Sequence, residues 1–113
     1  MPYIETKTNI TLTKQNEKDL NAAFGKALKL ILGKDERWLM LDFCDNQRLW
    51  FAGDDAPAVM LKVEILGSAS DASYDTLTQA LTDVVFENLN IPASRVYIKY
   101  DEIDHWGWNS SNF

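Results

Sequence analysis

The sequence has very few of the residues that build disulfides or metal sites. Its 113 residues contain one cysteine, Cys44, and one histidine, His105. A single cysteine excludes an internal disulfide, a CxxC redox pair and a cysteine-rich zinc site. A single histidine excludes a metal site with several histidine ligands. We therefore expect no bound metal, and any chemistry should come from other groups.

The sequence also lacks long apolar runs and clusters of basic residues. No stretch approaches the roughly 20 apolar residues that a membrane-spanning helix needs. The opening MPYIETKTN has no apolar core of a signal peptide. The net charge is −6 and no Lys/Arg cluster occurs, which argues against nucleic acid as a partner. We expect no nucleic-acid or membrane partner, and cytoplasmic residence or release without a signal peptide.

The first half of the chain predicts a strand, a helix and a second strand. Residues 3–10 alternate between two faces, as a strand does. Thr13 is a plausible N-cap for a helix, and Gly33 is a natural residue to end it. Residues 38–44 (WLMLDFC) predict the second strand, and residues 45–57 carry loop signals. The helix between the two strands has an apolar stripe formed by Leu20, Phe24, Ala27, Leu28 and Ile31.

The second half repeats this order. Residues 58–66 alternate as a strand, and Ser70 or Asp71 can cap the helix that follows. Residues 95–100 (RVYIKY) predict the next strand, and the tail 101–113 is rich in Trp, Gly and Asn. The apolar stripe of this second helix consists of Tyr74, Leu77, Leu81, Val84, Val85 and Leu89.

The repeat predicts one α+β domain over residues 1–113, with pseudo-repeats at about 2–57 and 58–113. Two β-α-β units would form a four-stranded sheet with both helices on one face. The other face is then uncovered, although apolar and charged side chains alternate on it. An exposed surface with that much apolar character indicates an oligomer interface. Its apolar members are Tyr3, Trp38, Met60, Leu66, Tyr97 and the tail aromatics, and they mix with Lys62, Glu64 and Lys99.

Pro2, directly behind Met1, is the most informative single residue. If Met1 is removed, the chain begins with a free secondary amine. An α-amino group has a pKa of about 7.7–8.0, and burial or a nearby cation lowers that pKa. Such an amine is neutral enough near pH 7 to accept a proton from carbon. The alternative is that Pro2 simply follows the start residue and has no role.

Several motifs together resemble the macrophage migration inhibitory factor branch of the tautomerase superfamily, which also includes D-dopachrome tautomerase. The resemblance covers the whole chain, and its two most specific segments are 91–98 (IPASRVYI) and 107–113 (GWNSSNF). Its other anchors are Met1-Pro2, Thr8-Asn9, Gly33-Lys34, Phe51-Ala52-Gly53, Pro57 and Leu66-Gly67.

The resemblance implies a fold, an assembly and an activity. The family protomer is a pseudo-symmetric β-α-β-β-α-β unit, and three protomers surround a central channel. Each active site lies between subunits and needs no cofactor. The chemistry is keto–enol tautomerisation of phenylpyruvate-like α-keto acids or dopachrome analogues. The expected partners are therefore two further copies of the chain and a small aromatic α-keto acid.

The resemblance also assigns roles to individual residues. Pro2 is the expected general base, and Lys34 is expected to bind the substrate carboxylate. The backbone N–H of Leu66 is expected to bind substrate. Tyr97 should donate a hydrogen bond from the neighbouring subunit. Each of the last three residues also has a purely structural interpretation. Lys34 would end a helix, Leu66 would pack in the core, and Tyr97 would lie at a subunit interface.

Further positions shape the expected pocket, and some depart from the family pattern. Lys99 replaces a family asparagine, and it would add a second cation that strengthens carboxylate binding, occludes the site or changes the substrate. Trp38 replaces a family tyrosine at the pocket mouth. Apolar pocket positions hold Trp106, Trp108 and Phe113, whose alternative role is packing of the tail. The CxxC of the mammalian cytokine is absent, since Ala58 and Leu61 stand there, and Cys44 is expected to be a small buried hydrophobe.

Two other functions remain open at this point. The chain could be a cytokine-like binding protein that mimics the family cytokine and engages a cell-surface receptor, with a secondary or vestigial site at Pro2. It could also catalyse decarboxylation or hydration, with Asp42 or Asp101 activating water. No family motif places either aspartate beside Pro2.

Overall fold

Four strands of the computed structural model, which describes residues 1–113, form one mixed sheet. They are β1 (Pro2–Thr8), β2 (Met40–Cys44), β3 (Val59–Leu66) and β4 (Val96–Ile103), in the order β2-β1-β3-β4. Strands β1 and β2 pair in parallel, as do β3 and β4, while β1 and β3 pair antiparallel at the centre. Each parallel pair therefore belongs to one β-α-β unit, and the two units join through the central strands.

Two helices of 19 residues each connect the parallel pairs: α1 (Lys14–Leu32) and α2 (Asp71–Leu89). Helix α1 begins with a capping box in which Thr13 and Asn16 exchange side-chain hydrogen bonds of 3.0 Å with each other's backbone N–H. Ser70 caps the start of helix α2, and its Oγ accepts from the Ser73 N–H at 3.1 Å. Neither helix combines the length and apolar character that crossing a bilayer would require.

The helices cover one face of the sheet and form the core with it. Alternate residues of β1 and β3 are buried on this face, which follows from the two-residue period of a strand. Both predicted helical stripes pack onto the same face. The fully buried core side chains include Ile4, Leu20, Phe24, Leu28, Leu61, Val63, Leu77, Leu81 and Val85.

No helix covers the other face, which we call the open face. Tyr3, Glu5 and Lys7 of β1 alternate with the buried residues of that strand. The members from the other strands, placed by register, are Met40, Asp42, Cys44, Met60, Lys62, Glu64, Tyr97, Lys99 and Asp101.

The chain ends in a small hairpin. Strands β5 (Gly107–Trp108) and β6 (Ser111–Asn112) pair antiparallel, and the Phe113 N–H donates to the Trp106 carbonyl at 3.0 Å. The two turn residues between them, Asn109 and Ser110, have φ of 50° and 72°. Positive φ at both positions is the geometry of the type I′ turn, which favours two-residue hairpins.

The predicted β-α-β-β-α-β order and the placement of both helices on one face are confirmed. Several strand boundaries were wrong. The strand predicted at 3–10 ends at Thr8, because the Asn9 side chain bonds across to the Ala56 carbonyl and the Ala58 N–H instead. The strand predicted at 95–100 runs to Ile103, because β3 offers a pairing partner as far as Leu66.

The strand predicted at 38–44 was wrong at its start, and this places Trp38 differently. Residues Glu36–Trp38 form a 3-10 turn that Asp35 caps, with its Oδ1 accepting from the Arg37 N–H at 2.9 Å. The same kind of turn recurs at Ala93–Arg95 before β4. Trp38 therefore lies on a turn beside the sheet and not on β2.

Candidate active site

Pro2 lies at the head of β1, buried and opposite Ile65 of β3. The preceding residue extends the ladder, because the Leu66 N–H donates to the Met1 carbonyl at 3.1 Å. The backbone donor that the sequence assigned to substrate binding is thus adjacent to Pro2, and Met1 occupies it.

Lys34 reaches the same place from the end of α1. Gly33 adopts the left-handed conformation (φ 66°), and its N–H donates to the Lys29 carbonyl, while the Lys34 N–H donates to that of Leu28. This αL end turns the chain sharply after the helix. The Lys34 Nζ then donates to the Leu66 carbonyl at 3.1 Å.

Burial and charge both act on the amino terminus. Partial burial and, to a smaller extent, the Lys34 ammonium lower the pKa of the Met1 α-amino group. Both causes disfavour the protonated form of an amine. A terminal amine one residue further along, on Pro2, would stand in a more buried position near the same lysine.

A cavity of about 320 Å³ opens beside Pro2. The structure brings four predicted residues together there, namely Pro2, Trp38, Trp106 and Trp108. The complete lining consists of Met1, Pro2, Arg37, Trp38, Leu39, Met40, Trp106, Gly107 and Trp108. A mostly apolar wall around a few polar groups is typical of a small-molecule site.

Aromatic rings form one side of this cavity. Trp38 and Trp108 meet edge to face with ring centroids 4.7 Å apart, and Phe113 stacks on Trp108 at 6.2 Å. Half of the Trp108 surface and 60% of that of Phe113 remain exposed. Of the predicted tail aromatics, Trp106 and Trp108 line the cavity, and Phe113 lies against Trp108. The exposed surface of Trp108 and Phe113 is available to a ligand or to another subunit.

Tyr97 and Lys99 lie elsewhere in the same chain. Tyr97 is paired with Met60, five residues along β3 from the partner of Pro2. At about 3.3 Å per residue this separates them by roughly 17 Å along the strand direction alone. The Tyr97 ring meets Phe51 edge to face at 4.7 Å and is 58% exposed. Lys99 is exposed beside Lys62. One chain alone does not assemble the predicted set.

The cavity also includes residues that the sequence analysis missed. Arg37 lies three residues after Lys34, and its guanidinium is 2.9 Å from Asp35 and 6.0 Å from the Trp38 ring centre. Met40 lines the cavity although it begins β2, and it is largely exposed. A basic residue in the turn that follows Lys34 was the available signal for Arg37. No sequence signal distinguished Met40.

One group of potential metal ligands occurs on the open face. Donor atoms of Glu5, Asp42 and Cys44 lie within 4.8 Å of one another. The Asp42 carboxylate already accepts from Tyr3 at 3.0 Å and from the Cys44 thiol at 3.5 Å. Burial and this hydrogen bond raise the pKa of the thiol. Cys44 is therefore a half-buried hydrogen-bond donor on the open face, which corrects the expectation of a purely apolar residue.

Comparison with known proteins identifies the family. The family profile described as Macrophage migration inhibitory factor (MIF) matches residues 1–113. The chain therefore belongs to the MIF family, and this membership supports a MIF-like or tautomerase function in general terms. A curated relative, Macrophage migration inhibitory factor of Xenopus laevis, is 27% identical over 115 residues, covering all of this chain and 99% of that protein.

Solved structures agree with the family and with the fold. The crystal structure of Leishmania major MIF2 is 33% identical, with a TM-score of 0.95 over 100% of this chain and 97% of that one. A macrophage migration inhibitory factor homologue from Prochlorococcus marinus is 25% identical, with a TM-score of 0.89 over 98% of each chain.

Proposed function

We propose that this chain, once Met1 is removed, is a keto–enol tautomerase for phenylpyruvate-like α-keto acids or dopachrome analogues, with Pro2 as general base. One observation carries the proposal: Pro2 lies buried beside a largely apolar cavity, and next to it Leu66 donates its N–H to the Met1 carbonyl and accepts from the Lys34 ammonium. These groups supply a base, a cation and a hydrogen-bond donor, and the cavity beside Pro2 can hold an aromatic group.

The proton transfer itself uses Pro2 as both acceptor and donor. The neutral Pro2 nitrogen takes a proton from the carbon next to the ketone, so that a C–H bond breaks and an N–H bond forms. The electron pair moves to the ketone oxygen, and the protonated Pro2 nitrogen returns its proton to that oxygen, which gives the enol and restores the neutral base. The reverse direction uses the same steps. A positioned general base contributes roughly 10²–10⁴-fold to such a reaction.

Lys34 serves two purposes in this proposal. Its ammonium attracts the substrate carboxylate, and the same charge lowers the pKa of the neighbouring amine. The Lys34 side chain now donates to the Leu66 carbonyl, which holds its charge near the amino terminus. A carboxylate that arrives there would gain a charge-assisted hydrogen bond.

Met1 must be removed for this chemistry to occur. While Met1 is attached, the Pro2 nitrogen is an amide without a basic lone pair. The Met1 carbonyl also accepts the Leu66 N–H at 3.1 Å, the donor proposed for substrate. Processing therefore creates the base and frees the donor in one step.

A neighbouring copy completes the site in this proposal. The roughly 17 Å between Tyr97 and Pro2 within one chain cannot be bridged by a side chain. Tyr97 is exposed at the opposite end of an uncovered sheet face. A homotrimer in which each subunit lends Tyr97 to the next would use that face and supply a donor to the ketone oxygen.

The aromatic wall would hold the substrate's ring. Trp38, Trp108 and Phe113 present stacked or edge-on surfaces with exposed area, and Trp106 lines the same cavity. Aromatic pairs of this kind contribute about 0.5–1.5 kcal/mol beyond area burial. The sequence places Lys99 in the shared site as a second carboxylate-binding cation, and that assignment stays a prediction.

The test combines mass spectrometry with a phenylpyruvate keto–enol assay on the same sample. Protein without Met1 should turn over the substrate. A matched variant with one alanine inserted between Met1 and Pro2 should keep the fold and the assembly but lose turnover. Pro2→Gly should also lower activity strongly without disrupting the trimer. Full activity in the alanine-inserted variant would refute Pro2 as the base.

A cytokine-like binding role is the second candidate, because the curated relative from Xenopus laevis carries the name Macrophage migration inhibitory factor. The two roles separate cleanly in the alanine-inserted variant. Receptor binding through the outer surface should survive the block of Pro2, whereas turnover should not. Absence of turnover in fully processed protein would favour the binding role.

A further inference from the structure

A row of four charged residues crosses the open face from edge to edge. The strand register places Asp42, Glu5, Lys62 and Lys99 side by side on β2, β1, β3 and β4. The row therefore has an acidic half and a basic half. Like charges directly opposite each other in a sheet are destabilising, so each half is unfavourable within an isolated chain.

Most of these charges find compensation within the chain, but Lys99 does not. Lys62 pairs with Glu64 at 3.2 Å, and Glu5 lies 3.7 Å from Lys7. Asp42 accepts from Tyr3 at 3.0 Å. Lys99 forms no ion pair, is exposed, and stands on the edge strand β4 beside another lysine. Its repulsion from Lys62 favours a side chain directed outward, beyond the edge of the sheet.

A cavity on this face lies over β1 and β3, next to the carboxyl-terminal tail. Its volume is about 450 Å³. Two carboxylates, Glu5 and Glu64, and one lysine, Lys62, line it. Lys62 pairs with Glu64, so the carboxylate left with only the longer 3.7 Å contact, to Lys7, is Glu5. The complete lining consists of Tyr3, Glu5, Lys62, Glu64, Ile103, His105, Trp106 and Gly107.

This Glu5 cavity adjoins the Pro2 cavity. Trp106 and Gly107 line both, so the tail forms the wall between them. Tyr97 and Lys99 point from the same face of β4 and are about 6.6 Å apart along the strand. A neighbouring strand that places Tyr97 at the Pro2 cavity therefore carries Lys99 to the adjacent cavity.

We propose that Lys99 of one copy enters the Glu5 cavity of the next copy and pairs with Glu5 there. The inference rests on the proposed function in one respect, the delivery of Tyr97 by a neighbour. It assigns the Lys99 charge to recognition between subunits. This head-to-tail contact places a lysine of one copy beside a glutamate of the next. It reduces the repulsion between Asp42 and Glu5 and that between Lys62 and Lys99, and it selects one register for assembly.

A double-mutant cycle with near-isosteric neutral variants tests the contact. The variants are Glu5→Gln, Lys99→Met and the two combined, and Lys18→Met on the exposed surface of α1 is the control. Sedimentation over a concentration series reports assembly. Where the assembly is too tight for sedimentation to detect dissociation, the rate of subunit exchange between two labelled populations reports its stability. Each single variant should weaken assembly about tenfold or more, and the double variant should be little weaker than either single one.

The outcomes separate cleanly. Additive effects of the two substitutions, or assembly as tight as that of Lys18→Met, would refute the contact. Unchanged assembly with a raised KM for phenylpyruvate in Lys99→Met would overturn it in favour of a substrate cation. Coupled effects on assembly without any turnover by wild-type protein would support the contact and refute the tautomerase proposal. Turnover by wild-type protein together with additive effects of the two substitutions on assembly would support the tautomerase proposal and refute the contact.

Discussion

Two tyrosines on β4 allow function and stability to be separated by the removal of one oxygen atom each. Tyr97 lies on the open face, and its hydroxyl has no hydrogen-bond partner in the chain, whereas its ring contacts Phe51. Tyr100 lies on the helix-facing side, with its hydroxyl 2.7 Å from that of Thr78. The substitutions Tyr97→Phe and Tyr100→Phe both keep the ring and delete the hydroxyl.

The magnitudes follow from what each hydroxyl contacts. In the proposed site the Tyr97 hydroxyl donates to an oxygen that gains negative charge. Hydrogen bonds to charged groups are worth about 1.5–3 kcal/mol, which corresponds to a loss of roughly 10- to 150-fold in kcat/KM. The free energy of unfolding should hardly change. Tyr100→Phe removes a neutral hydrogen bond and should lower that free energy by about 0.5–1.5 kcal/mol while leaving kcat/KM unchanged.

The assay measures keto–enol conversion of phenylpyruvate and urea unfolding for wild type and both variants, at a protein concentration where assembly is complete. Equal kcat/KM for Tyr97→Phe and wild type would show that this hydroxyl does not stabilise the transition state. A comparable loss of kcat/KM in Tyr100→Phe would show that the activity change reflects general destabilisation. Either result would refute the assignment of Tyr97.

Three further predictions concern Lys34, Gly33 and Tyr74. Lys34→Met removes a cation from beside the terminal amine, so the pKa of that amine should rise. The acidic limb of the kcat/KM–pH profile should then move to higher pH, whereas Lys29→Met should leave it in place. Gly33→Ala puts a side chain at φ 66° with no atom within 4 Å of the added Cβ. Urea unfolding should therefore show a free energy of unfolding lower by about 1–2 kcal/mol, from backbone strain alone. An unchanged free energy of unfolding would contradict this. Burial and the 2.7 Å hydrogen bond to Glu102 raise the pKa of Tyr74 to about 12. Because the folded value exceeds the unfolded one of about 10, wild type should be more stable than Tyr74→Phe below pH 10, and that advantage should vanish as pH rises through about 12. An advantage that persists above pH 12 would argue against a hydrogen bond from the neutral phenol.

The repeated β-α-β pattern could be predicted because its signals are local. Alternation in β3, the capping threonine at Thr13 and the left-handed glycine at Gly33 each depend on a few adjacent residues. The start of β2 could not be predicted in this way. The apolar run Trp38–Cys44 is continuous in sequence, but the Asp35 cap forms a 3-10 turn that withdraws Trp38 from the strand.

The candidate site likewise has features that the sequence indicates and features that depend on the tertiary structure. The sequence by itself determined which residues are candidates for the chemistry, since the motifs that resemble the family single out Pro2, Lys34 and Tyr97. Only the tertiary structure decided which of them meet. The αL turn at Gly33 brings Lys34 to the Leu66 carbonyl across 32 positions of sequence, and the register of β3 holds Tyr97 about 17 Å from Pro2. The register of the four strands likewise aligns one row of charged residues, Asp42, Glu5, Lys62 and Lys99. Pairing between distant strands is set by packing of the whole core, so no local pattern in the chain contains it.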